Sequence, residues 1–329
     1  MTKLEMPDDP RAGQLLGEMD ARFFGIVEKL PDPLRVLART RGTYEGSESQ
    51  VPFEGPSSMN PGLTCTPWMF WQITREVGDQ QFAGLSVGGG LVILASALLD
   101  HLVDRQVKNI GETGLLQSAL HGRGMAILRS EIGLDADFWS HAERLLEEHR
   151  RGLAQEIQWR TKPDLLTEER FVETVSAKFA PIALTMVAYL AAAERRIFIE
   201  PIERSIKDLA VASQLLDDLG DWEEDVRQQR LTLYVKSLAP RADWTADEWP
   251  TVTELEEQID QEWAELELLN RVRQWLDRSI EKVAGIECPA WISYLNGFRD
   301  LADQHLMGRT AGHLARSIGE LLPDQPGTS

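Results

Sequence analysis

Apolar residues recur at helical spacing along most of the chain, and no stretch alternates apolar and polar positions for long enough to form a sheet. The pattern predicts an all-α protein. Gly, Pro and capping residues divide it into helices at about 10–30, 33–41, 66–78, 82–105, 113–131, 136–160, 167–194, 199–226, 253–285 and 289–320. Thr167 is one such cap, followed by acidic residues in the first turn.

Two stretches interrupt the helical pattern. Residues 42–66 are rich in Gly and Pro and are expected to form an ordered surface loop, and residues 237–252 form a second break that could cover the mouth of a site. A chain of 329 residues with 43% hydrophobic content can bury one large core. We therefore expect a single helical domain over residues 1–322 and a disordered tail at 323–329.

Two apolar helical runs end in aspartates four residues apart. The first run closes with Asp100 and Asp104, and the second closes with a cluster of four, Asp217, Asp218, Asp221 and Asp225. Side chains four residues apart lie on one face of a helix, so each run places like charges beside its buried face. Oxygen-rich clusters without cysteine suit hard divalent cations such as Mg²⁺, shared with a substrate phosphate. An acidic, solvated helix end is the alternative interpretation.

The charge balance limits the class of partner. Acidic residues outnumber basic ones 53 to 34, and the formal net charge is −19. Nucleic acid is therefore not expected as a partner, because phosphate backbones are bound by basic surfaces. A phosphorylated substrate remains compatible with this charge if cations bridge it to the carboxylates.

The N-terminal sequence and the two cysteines suggest a cytoplasmic protein. The first residues lack the basic and then apolar pattern of a signal peptide. Cys65 and Cys288 have no metal-type spacing, and no structural disulfide is expected. Residues 80–99 are uncharged and formally long enough to span a bilayer, but a core helix surrounded by other helices explains the same composition, so no transmembrane segment is predicted.

The two acidic runs carry a resemblance to a known superfamily. Leu98–Arg105 and Gln214–Asp221 resemble the two aspartate-rich motifs of class I isoprenoid synthases, which include prenyltransferases, squalene and phytoene synthases and terpene cyclases. Lys178 resembles the lysine of a Lys-Thr element upstream of the second motif, and Arg230-Leu-Thr232 is similar to the Lys-x-Thr element after it. The runs are also similar to those of bacterial large terpene synthases, although Ala97 stands where those carry a further acid.

This resemblance implies a helical bundle with a central cavity, an isoprenyl diphosphate substrate and a cluster of two or three Mg²⁺ ions. The implied catalytic residues are Asp100, Asp104, Asp217, Asp218 and Asp221, and the implied metal ligands are the same five with Asp225. The implied diphosphate-binding residues are Arg105, Lys178 and Arg230. A surface lysine with a buried stem is the alternative for Lys178. His101 is expected to pack beside the site, because imidazole is a poor Mg²⁺ ligand.

Aromatic residues could stabilise a carbocation by cation–π contacts, worth about 0.5–2 kcal/mol each. The candidates are Trp68, Phe70 and Trp71 on one predicted helix, with Phe82 nearby. Ordinary core packing is the alternative for each of them.

Departures from the superfamily pattern decide between activities. Polyprenyl synthases hold isopentenyl diphosphate with a Gly-Gly-Lys-Arg-type segment, whereas the counterpart here, Gly62–Pro67, contains no base. The paired arginine after the first motif is also missing, leaving Arg105 and Lys108. We therefore predict a terpene synthase that ionises one linear isoprenyl diphosphate, cyclises or deprotonates the cation, and does not consume isopentenyl diphosphate. A prenyltransferase, including squalene synthase-like condensation, and a non-catalytic helical partner subunit are the alternatives, and a homodimer is a possible assembly.

Overall fold

The computed structural model describes residues 10–46, 49–238, 249–262 and 264–321. The α-helices are α1 Pro10–Val27, α2 Leu34–Ala38, α3 Arg41–Glu45, α4 Pro61–Thr64, α5 Thr66–Met69, α6 Trp71–Thr74, α7 Asp79–Val103, α8 Ile110–Ile132, α9 Ala136–Thr161, α10 Glu168–Lys178, α11 Ala180–Ala192, α12 Ile199–Arg227, α13 Leu233–Leu238, α14 Val252–Glu262, α15 Ala264–Val283 and α16 Pro289–Leu321. Within these ranges there is no β-strand, only an isolated bridge between Thr40 and Pro52. The prediction of an all-α fold is confirmed.

Helix α7 is a core helix, packed against α1, α8 and α11. It approaches α8 closely at a pair of glycines, since a β-carbon on Gly124 would lie 2.7 Å from the carbonyl oxygen of Gly88. Although α7 is long and apolar enough to cross a membrane, 83% of its most apolar window is buried inside the protein. The bent pair α10 and α11 passes the same composition test only as one broken segment. Burial by neighbouring helices accounts for the apolarity of α7.

Helix α12, which carries the second acidic run, is fixed against α15 and α16 by a buried hydroxyl cluster. Ser205 Oγ donates to the carbonyl oxygen of Ser279 at 2.9 Å, and Ser279 Oγ donates back to the carbonyl oxygen of Ser205 at 2.8 Å. Trp291 Nε1 donates to Ser205 Oγ at 2.8 Å. Because every donor in this buried cluster has a partner, it stabilises close contact between α12 and α15 without an unpaired polar group.

The helix predicted at 167–194 is wrong in one respect, because it breaks at Phe179 into α10 and α11, which meet at 48°. Pro181 explains the break, since proline has no N–H for the preceding turn and its ring crowds the backbone there. Thr167 caps α10 as predicted, accepting the backbone N–H of Arg170 at 3.3 Å. The break leaves Lys178 at the very end of α10.

Other boundaries also differ from the prediction. The helix predicted at 33–41 is shorter, Leu34–Ala38, and the one predicted at 66–78 is divided into α5 and α6. The predicted loop at 42–66 contains helical turns, among them most of α3. The helix predicted at 253–285 corresponds to α14 and α15, with residue 263 outside the described residues. Residues 239–248 of the predicted covering loop and the predicted tail at 323–329 also lie outside them.

Candidate active site

The first acidic motif lies at the C-terminal end of α7. Asp104 caps this end, and its backbone N–H donates to the carbonyl oxygen of Asp100 at 2.8 Å, which keeps the two side chains one helical turn apart. Glu156, on α9, adds a third carboxylate. One oxygen from each of the three lies within 4.8 Å of the others, a spacing that could hold a cation. The sequence analysis did not identify Glu156.

Lys178 lies between the first motif and α9. Its Nζ is 2.9 Å from Asp100 Oδ1 and 2.9 Å from Glu156 Oε2, and only 15% of the side chain is exposed. Burial alone would lower the pKa of this ammonium, but the charges of Asp100 and Glu156 outweigh burial and raise it. The alternative of a surface lysine is therefore wrong, and Lys178 is a buried cation in the acidic site.

The second acidic motif lies on α12 and borders its buried face. Asp218 is 2% exposed; its Oδ1 accepts a hydrogen bond from Gln214 Nε2 at 3.0 Å, whereas no hydrogen-bond donor among the described residues reaches its Oδ2. Burial raises the pKa of Asp218 to about 8. Burial also raises the pKa of Asp217, to which the charge of Asp221 adds. These carboxylates lack sufficient positive charge in the protein itself, and a bound cation would supply it.

Arg230 folds back onto the end of this motif. The turn after α12 places Gln229 at a φ of 53°, and the backbone N–H of Arg230 then donates to the carbonyl oxygen of Asp225 at 2.7 Å. The guanidinium Nε lies 3.3 Å from Asp225 Oδ1. Burial raises the pKa of Asp225 to about 6 in spite of this neighbour. Arg230 is thus placed at the acidic stripe of α12, where it could also bind an anion.

The two motifs share one electrostatic environment, and Lys178 is the group that links them. Its positive charge acts on Glu156 beside the first motif and on Asp217 and Asp218 of the second, in each case opposing the rise in pKa that burial causes. Interactions of this kind fall off with distance and with solvent screening, so the ammonium lies in range of both acidic helices. The charge of one largely buried ammonium thus acts on carboxylates from two distant sequence segments.

Contacts with α9 fix the position of Lys178. His149 Nδ1 lies 3.1 Å from the carbonyl oxygen of Lys178, which the break after α10 leaves without its usual helical partner. Gly152 allows α9 to approach this closely, because a β-carbon there would lie 2.9 Å from the carbonyl oxygen of Thr174. One signal in the sequence could have identified this surface. His149 and Glu156 are polar residues seven positions apart, on the face of α9 that is otherwise apolar.

Arg105, predicted to bind diphosphate, follows the first motif at a φ of 57° and is exposed. Together with Lys108 it lines a groove of about 580 Å³ between the connection from α7 to α8 and residues 33–43, 49 and 50. His101 Nδ1 lies 3.2 Å from the carbonyl oxygen of Thr43, so the imidazole links α7 to α3. The groove therefore adjoins the first motif, and two bases are among its lining residues.

The predicted cavity aromatics form a cluster at the other end of α7. The rings of Trp68 and Trp71 stack at 5.2 Å, and Phe82 packs edge-on to both at 5.7 and 5.2 Å. Phe70 packs instead against a tryptophan of α16. Phe82 precedes Asp100 by 18 residues on α7, about 27 Å along a helix. These rings could contact only the distal end of a long substrate chain, and their role in cation stabilisation stays a prediction.

The fold is that of the isoprenoid synthases. No protein-family model matches the chain, and no curated protein matches it in sequence. Solved structures match along nearly the whole chain, and the prediction of the isoprenoid synthase fold is confirmed.

Three of these structures illustrate the likeness. A polyprenyl synthetase from Streptomyces coelicolor is 16% identical, with a TM-score of 0.66 over 89% of this chain and 97% of that one. A polyprenyl synthase from Caulobacter crescentus, in complex with calcium and isoprenyl diphosphate, is 16% identical, with a TM-score of 0.66 over 89% and 96%. A geranylgeranyl pyrophosphate synthetase from Pyrococcus horikoshii is 16% identical, with a TM-score of 0.65 over 90% and 98%. At this identity the likeness establishes the fold, not the activity.

Proposed function

We propose that this protein is a Mg²⁺-dependent isoprenyl diphosphate enzyme that ionises an allylic substrate and transfers the resulting prenyl group. The observation that carries the proposal is the Lys178 ammonium, which lies 2.9 Å from Asp100 Oδ1 of the first motif and whose charge also acts on Asp217 of the second. Prenyl transfer is preferred over the predicted terpene synthase activity because the fold neighbours are polyprenyl and geranylgeranyl diphosphate synthases.

The donor set supports Mg²⁺ as the metal. Every candidate ligand is a carboxylate, and hard cations of this kind take oxygen ligands. Asp218 Oδ2 is buried without a hydrogen-bond donor among the described residues, as expected of an oxygen that coordinates a cation when one is bound. Asp100 and Asp104 could hold one ion, and the α12 aspartates could hold others.

The protein's own residues would bind and orient the diphosphate. Bound Mg²⁺ would supply charge stabilisation to the leaving diphosphate. Lys178 and Arg230 are positioned to donate charge-assisted hydrogen bonds to phosphate oxygens once they give up one of their carboxylate contacts. Because Lys178 is largely shielded from water, its interaction with an anion would be stronger than that of a surface lysine.

The groove beside the first motif supports a second substrate. Its volume of about 580 Å³ is in the usual range for small-molecule pockets, roughly 300–1,000 Å³. Arg105 and Lys108 line it; they lie one and four residues after Asp104 in the chain. A short diphosphate held there would contact Arg105, the residue that follows the first motif.

Ionisation followed by cyclisation or deprotonation is the second candidate, and the segment 62–67 favours it. This segment contains no Lys or Arg. The backbone N–H of Gly62 donates to Asn60 Oδ1 at 2.9 Å, and the hydroxyl of Tyr294 donates to the same oxygen at 3.0 Å. A non-catalytic partner role is a third alternative. The complete second motif argues against it, because a subunit without activity does not need these carboxylates.

Product analysis separates these activities. The purified protein is incubated with geranyl, farnesyl or geranylgeranyl diphosphate and Mg²⁺, with and without isopentenyl diphosphate. Prenyl transfer predicts a longer prenyl diphosphate only when isopentenyl diphosphate is present, and Arg105→Ala with Lys108→Ala should reduce it. A cyclic or deprotonated hydrocarbon formed equally with and without isopentenyl diphosphate would favour the second candidate, and no release of diphosphate under any condition would refute both.

A further inference from the structure

Helix α9 holds Lys178 at two points. His149 contacts the backbone carbonyl of Lys178 at 3.1 Å, and Glu156 contacts its ammonium at 2.9 Å. The two α9 residues are seven positions apart, which is about two helical turns, so both face the end of α10. Gly152 lies between them at the point of closest approach. One helix thus fixes both the main chain and the side chain of this lysine.

The Lys178 ammonium contacts two carboxylates, and we expect only one of these contacts to remain when a cation binds. Asp100 belongs to the first acidic motif and would turn its oxygens toward a cation when one binds. The Lys178 ammonium, now 2.9 Å from Asp100 Oδ1, would then lose that contact. Glu156 lies outside both motifs and is 16% exposed, and its contact with Nζ can persist.

We infer that Glu156 is a positioning residue, which keeps the Lys178 ammonium at the junction of the two acidic helices so that it faces the diphosphate when Asp100 binds metal. This inference rests on the proposed function. Burial raises the pKa of Glu156, and the charge of Lys178 opposes that rise, so the pair is mutually supporting.

Electrostatic repulsion by Glu156 and positioning of Lys178 by Glu156 predict opposite changes in diphosphate affinity when this carboxylate is removed. A carboxylate near a diphosphate repels it, so charge alone predicts tighter anion binding when the acid is neutralised. Positioning predicts weaker binding, because the ammonium loses the partner that holds it toward the ligand. The direction of the change therefore distinguishes the two effects.

The experiment is a double-mutant cycle on binding rather than on turnover. Isothermal titration calorimetry measures the Kd of inorganic diphosphate at saturating Mg²⁺ for the wild type, Glu156→Gln, Lys178→Met and the double variant. Glu147→Gln is the matched control, because it removes the same charge from an exposed position on α9. Thermal melts of each variant check that it folds.

We expect Glu156→Gln to weaken diphosphate binding roughly tenfold, the loss typical of one contact to a charged group. In the Lys178→Met background the same change should have no effect or tighten binding, and Glu147→Gln should leave binding unchanged. Tighter binding by Glu156→Gln in the native background, or equal weakening in both backgrounds, would overturn the positioning role while leaving the proposed function intact. A wild type that binds no diphosphate with Mg²⁺ would overturn both.

Discussion

Asp218 makes the metal-free protein sensitive to pH, and Asp218→Asn should remove that sensitivity. Burial raises the pKa of this carboxyl from 3.8 to about 8. At pH values between 3.8 and about 8, the Asp218 carboxyl is therefore protonated in the folded state and ionised in the unfolded state. Raising the pH through this window lowers the free energy of unfolding, because the unfolded state binds fewer protons there.

The size of the effect follows from the shift. One proton difference changes the free energy of unfolding by about 1.4 kcal/mol per pH unit, so this single group accounts for a loss on the order of 4 kcal/mol between pH 4 and pH 7. Asp225, whose pKa burial raises to about 6, acts in the same direction but mainly below pH 6. Between pH 6 and pH 7.5 the slope should therefore belong largely to Asp218.

Urea unfolding followed by circular dichroism, in EDTA and at several pH values from 5.5 to 7.5, measures this slope. We expect the wild type to lose about 1.4 kcal/mol per pH unit more than Asp218→Asn above pH 6. Absolute stabilities are not compared, because the new amide brings its own hydrogen-bonding cost. Asp300→Asn, at an exposed position of α16, is the control and should keep the wild-type slope. Equal slopes for the wild type and Asp218→Asn would refute the buried, protonated carboxyl.

Two further predictions test the first motif and the approach of α9 to α10. Mg²⁺ with inorganic diphosphate should raise the melting temperature of the wild type by mass action. The double change Asp100→Asn with Asp104→Asn should abolish that shift, and it should also lower the stability of the metal-free protein, because Lys178 loses the charge of Asp100. A full shift in the variant would show that these aspartates do not bind metal. Gly152→Ala should lower the free energy of unfolding by about 1–3 kcal/mol, because its β-carbon would lie 2.9 Å from the carbonyl oxygen of Thr174. Gly122→Ala, where a β-carbon would meet no atom within 4 Å, should instead gain about 0.5–1 kcal/mol from helix propensity in the same urea titration, and a stabilising Gly152→Ala would contradict the close approach.

Most helices could be predicted from the sequence because their burial follows the helical period, and α7 because it is apolar on all sides. The pattern of α7 and α12 indicates both the helices and the carboxylates at their ends, since these depend on residues close in the chain. The break at Phe179 was missed because an apolar run continues through Pro181 without a change in pattern. A single proline near a helix start is compatible with either a kink or a new helix.

The candidate site was less predictable because part of it depends on contacts between helices. Lys178 could be placed among diphosphate ligands only through a resemblance, and its burial between Asp100 and Glu156 results from the packing of α9. Glu156 follows no motif, and only its position on the buried face of α9 marks it. The aromatic candidates were chosen for residue type, and the distance along α7 that separates them from Asp100 is a property of the fold.

Metal-dependent release of inorganic diphosphate is the direct test of substrate ionisation at the two acidic motifs. The wild type, Asp217→Asn and Asp221→Asn are incubated with farnesyl diphosphate and Mg²⁺, and released diphosphate is measured with and without EDTA. We expect the wild type to release diphosphate and EDTA to abolish this release. Both variants should lose most of the release, while their helical circular dichroism stays unchanged. Release that persists in EDTA, or that both variants retain, would contradict ionisation at the two acidic helices.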